Sequence, residues 1–168
     1  MDIVIDFDGT VVSHEFPKIG KEIGALPVLR ELVAAGHNLI LFTMRSDMDE
    51  KVVDGLKHDG IIDVQGNHLT EAVNWFNERD IPLYGIQTNP TQFLWTSSPK
   101  AYGQIIIDDA ALGCPLLQNF KSVQFGDEVL TTQQQFIKSR QVKELVGRPF
   151  VDWLKVRQML VVLGYVAA

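Results

Sequence analysis

The sequence predicts an α/β fold, a parallel β-sheet flanked by helices, and three observations carry that prediction. Short apolar runs, Ile3-Val4-Ile5, Leu39-Ile40-Leu41-Phe42 and Ile105-Ile106-Ile107, lack the alternation of a half-solvated strand, which is the pattern of strands buried on both faces. Stretches with apolar residues at helical spacing separate them. Each run also ends abruptly in chemistry: Asp6 and Asp8 after the first, Thr43 after the second, Asp108 and Asp109 after the third. Ligands of open parallel sheets bind at the carboxyl ends of the strands, so these residues are predicted to share one edge.

Taken in order, the first strand runs into Asp6-Phe7-Asp8-Gly9-Thr10. Gly9 lets the backbone leave the strand at an angle that a Cβ resists, which suits a loop wrapped closely around an anion. Pro27 near a helix start and Gly36 just past its end frame a helix with Leu26, Leu29, Leu32 and Val33 as its apolar stripe. Leu39 to Phe42 forms the second strand. After Thr43-Met44-Arg45-Ser46, Ser46 and Asp49 give a capping signal for a helix that turns Met48, Val52, Val53 and Leu56 inward. Thr70 opens a further helix through Val73 and Phe76 to about Arg79. Pro82 to Ile86 reads as a third strand, Gln104 to Ile107 as a fourth and Val123 to Phe125 as a short fifth. From Gln133 onward the pattern is helical in two pieces, broken near Gly147 to Pro149.

A chain of 168 residues with 46% hydrophobic content can core one domain but hardly two. The expectation is a single domain over 1–168, its core at about 1–126 and a helical extension at about 133–168. The lone cysteine, Cys114, excludes a disulfide framework and a Cys-rich zinc site. Asp2 stands where a signal peptide carries basic residues, and no apolar run approaches the roughly 18 residues of a membrane span. A cytoplasmic protein without a membrane partner is therefore expected. The net charge of -6 divides into -9 over residues 1 to 120 (8 basic, 17 acidic) and +3 over 121 to 168 (7 basic, 4 acidic). The basic side chains of the tail, Lys138, Arg140, Lys143, Arg148, Lys155 and Arg157, alternate with acidic and apolar residues and read as a solvated surface rather than a polyanion patch.

Alternation puts Asp6 and Asp8 on the same side of the strand end, and like charges that close need a cation or a shared proton. Asp-Gly by itself is also a hairpin signal. The second acidic pair, at 108 and 109, turns the balance toward one shared divalent cation. Thr43 adds a hydroxyl donor, and Lys100, in the loop just ahead of the fourth strand, adds an ammonium. These are the parts that phosphoryl transfer needs. Arg45 reads either as a clamp on a second anionic group of the substrate or as a cap or ion-pair partner of the following helix. His14 and Glu15 follow the first acidic loop and read as exposed, with contact to the substrate as the alternative. His37, His58 and His68 lack metal-ligand spacing and read as surface or satisfied histidines. Trp75 and Trp153 read as core, whereas Trp95 is a candidate substrate wall in an 89–99 loop that is itself a candidate partial lid.

The segments D-F-D-G-T at 6 to 10, L-I-L-F-T at 39 to 43, Lys100, and I-I-I-D-D at 105 to 109 resemble, in order, the four motifs of the haloacid dehalogenase superfamily of phosphohydrolases. The resemblance covers roughly residues 1 to 126. It implies a Rossmann-like three-layer sandwich, Mg²⁺ as cofactor, and hydrolysis of a phosphomonoester through an aspartyl-phosphate. It assigns Asp6 as the nucleophile and Asp8 as the general acid and then the base. Thr43 and Lys100 hold the phosphoryl oxygens on this assignment. Asp6, the backbone carbonyl of Asp8, and Asp108 hold Mg²⁺, with Asp109 an outer or alternative ligand. Asp8 must be protonated to expel an alkoxide, so its pKa is expected to rise beside Asp6 while Asp6 stays ionised on the metal. An aspartate at position 8 favours a phosphatase over dehalogenase or phosphate-storing members, because it can activate water.

The spacing from Thr10 to Thr43 leaves room for a flap and one helix, and that from Thr43 to Lys100 is filled by two helices and a strand. No large cap domain is expected, so the site is open or is covered by a second copy in a homo-oligomer. The apolar face of the tail, at Phe150 to Leu154 and Met159 to Val162, packs on the sheet or on such a copy. The favoured substrate is a small metabolite, a sugar phosphate or nucleotide. A nucleic-acid end or phosphoprotein, reached through the open site and basic tail, is the alternative. A phospho-accepting signalling domain is disfavoured by motif order, since D-x-D comes first and the acidic pair late.

Overall fold

The computed structural model describes residues 1–48, 65–117 and 148–168. In chain order its elements are β1 (Asp2–Ile5), α1 (Ala25–Ala34), β2 (Asn38–Leu41), β3 (Asp47–Met48), β4 (Gly66–Asn67), α2 (His68–Asn77), β5 (Gly85–Ile86), β6 (Ile105–Ile107), β7 (Leu116–Leu117), β8 (Phe150–Val151) and α3 (Trp153–Val162). A 3-10 turn at Gln92–Leu94 interrupts the connection from β5 to β6. The fold is α/β, built on a central parallel sheet of order β5-β2-β1-β6. Ile3 pairs with Leu39 on one side and Ile105 on the other, and Ile5 with Leu41 and Ile107.

With partners on both edges and side chains packed on both faces, Ile3, Val4 and Ile5 are all essentially buried, and the unbroken apolar run follows from that position. One face, through Ile3, Ile5, Leu39, Leu41 and Ile107, forms a single core with Leu29 and Leu32 of α1, Trp75 and Phe76 of α2, and Trp153 and Leu160 of α3. The opposite face brings Val4 and Ile40 against Ala101. The run at β6 is less protected than its composition implies, because β1 is its only strand neighbour among the described residues; Ile106 is 47% exposed.

Several elements differ from the sequence expectation. Met48 belongs to β3, which pairs antiparallel with β4, and not to a helix; the remainder of that predicted helix lies outside the described residues. The helix predicted to open at Thr70 begins at His68, because the Asp47 carboxylate accepts from the Thr70 amide at 2.9 Å and the Thr70 hydroxyl at 2.6 Å and so caps α2 from outside it. The third strand shrinks to Gly85–Ile86. The predicted strand at Val123 to Phe125 and the first helical piece of the tail lie outside the described residues.

The second piece is α3, capped by Asp152, whose side chain accepts from the Lys155 amide at 3.2 Å. Its approach is governed by three long-range bonds: Val151 N to the Gly9 carbonyl at 2.9 Å, Asp152 N to the Pro115 carbonyl at 2.8 Å, and Trp153 Nε1 to the Thr10 carbonyl at 2.6 Å. Two of the three fasten the tail to the first acidic loop. No helix among the described residues is long and apolar enough to cross a membrane.

Candidate active site

The loop after β1 is a tight turn around one carbonyl. Asp6 N continues the ladder to the Ile107 carbonyl at 3.0 Å, and the Phe7 carbonyl then accepts from the amides of Thr10, Val11 and Val12. Phe7 points into the core against Trp75 and Phe76, which leaves Asp6 and Asp8 on the outer side, as alternation predicts. Gly9 has φ +85°. The space a Cβ would take there is filled by the His14 ring, so the requirement for glycine comes from an imidazole as well as from the backbone angle.

Asp6, Asp8, Thr43, Asp108 and Asp109 converge on a cavity of about 380 Å³ at the carboxyl ends of β1, β2 and β6. Carboxylate oxygens of Asp6, Asp108 and Asp109 lie within 4.8 Å of one another. Thr10 links two of them: Asp109 N donates to Thr10 Oγ1 at 3.0 Å, and that hydroxyl donates to Asp6 Oδ2 at 3.2 Å. Asp109 is 4% exposed and meets His14 Nε2 at 2.9 Å. Asp108 Oδ1 accepts from the Ala110 amide at 2.7 Å. Thr43 is nearly buried and accepts from the Arg45 amide at 3.2 Å; its hydroxyl proton is left to donate into the cavity.

Burial pushes the Asp6 carboxyl up to about 7 against an amide bond from Phe7 that favours the anion; Asp108, Asp109 and Asp8 push further in the same direction. With only the protein's own groups around it, Asp6 thus holds its proton up to about 7. Asp8 uses both oxygens as acceptors from Arg45, Oδ2 from Nε at 2.6 Å and Oδ1 from Nη2 at 2.7 Å. Burial likewise raises the Cys114 thiol, which keeps it an inert packing group.

Arg45 is turned to Asp8, and the helix it was expected to cap or pair with lies outside the described residues. It is 1% exposed, its guanidinium also donates to the carbonyls of Pro17 at 3.1 Å and Lys18 at 2.8 Å, and it lies over the Phe7 and Phe16 rings. It holds Asp8 and the loop at 17 and 18 in place of a substrate anion. Lys100 is not brought to the cavity: its side chain is exposed, its carbonyl accepts from Gln92, and the segment around it is tied through Asn89 to Asp2 and to the Tyr102 carbonyl at the amino end of β1. That is the edge of the sheet opposite Asp6. The 89–99 loop goes with it, so it does not lie over the site, and Trp95 packs against Tyr102 instead of forming a substrate wall.

His14, read as exposed with substrate contact as the alternative, lines the cavity, and so does Arg148, read as part of a solvated surface. His68 is also buried, with Nε2 lacking a partner among the described residues, whereas His37 is satisfied between the chain amino group and the Tyr165 carbonyl. His58 lies outside the described residues. Trp153 is core as expected, but its bond to Thr10 had no signal in the sequence, because the two residues stand 143 positions apart.

No family model and no curated protein matches the chain. Among solved structures it is similar to a conserved protein from Bacteroides thetaiotaomicron, with 31% identity and a TM-score of 0.51, over 67% of this chain and 78% of that one. The two belong to one family. The relative is described by its conservation and by no activity, so membership bears on the fold and leaves the chemistry to the site.

Proposed function

We propose that the chain is a Mg²⁺-dependent phosphohydrolase of the haloacid dehalogenase type, acting on a small phosphomonoester. The observation that carries this reading is the convergence of carboxylates from two independent strand ends, with Thr43 of a third, on one cavity. The sheet order, with β1 between β2 and β6, is in keeping with a Rossmann-like core. A volume of about 380 Å³ falls at the lower end of small-ligand sites.

The donor set fits a hard divalent ion: Asp6, Asp108 and Asp109 offer oxygens only, and burial, with a smaller push from the neighbouring carboxylates, raises the Asp6 carboxyl, a cost that a bound cation would relieve. Those three, with the Asp8 carbonyl, would hold Mg²⁺, which when bound neutralises charge on the phosphate and keeps Asp6 ionised. Asp6 then attacks phosphorus; the ester P–O bond breaks and the leaving oxygen takes a proton. Water subsequently attacks the aspartyl-phosphate and frees inorganic phosphate and the Asp6 carboxylate. Asp8 lies beside Asp6 and serves both proton transfers once one of its oxygens leaves the Arg45 fork. Thr43 donates to a phosphoryl oxygen, and Thr10 and the tail hold the Asp6 loop still.

Release of inorganic phosphate from an aryl phosphate and a panel of sugar phosphates and nucleotides, with Mg²⁺ and with EDTA, tests the reading. Activity should need Mg²⁺ and vanish in Asp6→Asn. Activity that persists in Asp6→Asn, or none with any compound, refutes it.

A further inference from the structure

With Lys100 on the far edge, the cavity lacks the ammonium that the sequence assigns to it, and a phosphate dianion beside four carboxylates needs a cation fixed to the protein as well as any metal. Among the described residues three basic side chains line the cavity: His14, Arg45 and Arg148. His14 is engaged with Asp109, and Arg45 with Asp8 and two carbonyls. Among the described residues Arg148 makes no ion pair with a carboxylate, and its buried Nε has no hydrogen-bond partner. A buried guanidinium N–H without an acceptor is costly unless an acceptor arrives.

The backbone that delivers Arg148 is well anchored. Three residues on, β8 pairs with β7, which follows the Asp108 and Asp109 loop, and Val151 N is bonded to the Gly9 carbonyl at 2.9 Å. Trp153 fastens the next turn to Thr10. Arg148 is thus held by the same two loops that carry the four carboxylates. Its planar fork suits two oxygens of a phosphoryl group.

We propose that Arg148, from the C-terminal segment, is the cationic clamp on the phosphoryl oxygens of the substrate, in the place that the sequence assigns to Lys100. The inference deepens the phosphohydrolase reading and rests on it. It also gives the tail a function: the segment that seals the core beside the first loop brings a binding group with it.

The test is calorimetric titration of inorganic phosphate into the full chain with Mg²⁺ present, for the native protein, Arg148→Gln, Arg148→Lys and Lys100→Gln, with melting temperatures to confirm folding. Arg148→Gln should bind phosphate about 10- to 100-fold more weakly, Arg148→Lys should fall between, and Lys100→Gln should match the native protein. In the hydrolysis assay the loss should appear chiefly in KM. Equal phosphate affinity in native and Arg148→Gln overturns the clamp while leaving the phosphohydrolase reading intact, as does a loss confined to Lys100→Gln. Native protein that binds phosphate through Arg148 but releases none from any ester leaves the clamp standing and removes the enzyme. Native protein that binds no phosphate removes the clamp.

Discussion

Replacing Asp6 by asparagine should make the protein more stable at the pH where it abolishes activity. In the folded chain burial and three neighbouring carboxylates lift Asp6 from 3.8 to about 7. Below the lower value both folded and unfolded chains carry the proton, and the group contributes nothing to the pH dependence. Between the two values the unfolded chain releases the proton and the folded chain keeps it, so stability falls as pH rises, and the fall levels off above about 7. The full span is about three pK units, on the order of 4 kcal/mol. Asparagine has no such proton, so the variant escapes the decline. From pH 5 to pH 8 the native protein should lose roughly two pK units' worth, about 3 kcal/mol, relative to Asp6→Asn. For a chain of this size that is roughly 6 to 12 °C in Tm. The assay is thermal unfolding of both proteins in EDTA at intervals between pH 5 and 8, repeated with millimolar Mg²⁺. The gap between them should widen with pH in EDTA, and Mg²⁺ should raise the native Tm at pH 8 more than that of the variant. A gap that stays constant or narrows with pH refutes the account of Asp6.

Three further outcomes follow from the same geometry. Arg45→Met leaves Asp8 without its fork and the Pro17 and Lys18 carbonyls without their donor; urea unfolding should show a loss of about 3–5 kcal/mol, part of it recovered in the Asp8→Asn, Arg45→Met double variant. Gly9→Ala forces a Cβ onto His14 at a positive φ, and should cost about 1–3 kcal/mol and shift the His14 imidazole resonances in NMR as the ring leaves Asp109. Trp153→Phe keeps most of the packing but removes the indole donor to the Thr10 carbonyl. It should lose about 1–3 kcal/mol on unfolding and lower kcat through the loosened Asp6 loop, and an unchanged kcat would separate the tail from the site.

Much of the fold is written locally and was readable for that reason. An apolar run without alternation can be satisfied only by a strand covered on both faces, and Ile3-Val4-Ile5 sits in the middle of the sheet, as required. Period-2 alternation also sends Phe7 inward and Asp6 and Asp8 outward whatever the rest of the chain does. Parallel strands then gather Asp6, Thr43, Asp108 and Asp109 at one edge, because every one of them follows the carboxyl end of its strand. The weaker elements, β3 with β4 and β7 with β8, are two residues each and exist through pairing with a distant segment, so no local pattern announces them.

The sequence by itself determined the α/β class, the central strand and the carboxylates that meet at its end. Only the tertiary structure decided which cations join them. Lys100 precedes its strand, and a loop ahead of a parallel strand reaches the carboxyl edge only where the chain is carried back to it; here Asn89 and Tyr102 hold that segment at the amino edge, beside Asp2. Arg45 pairs with Asp8, His14 meets Asp109, and Arg148 enters from the tail. Long basic side chains carry several rotatable bonds and little periodic signal, and their partners are chosen by charge across a cavity that exists only once the chain has folded.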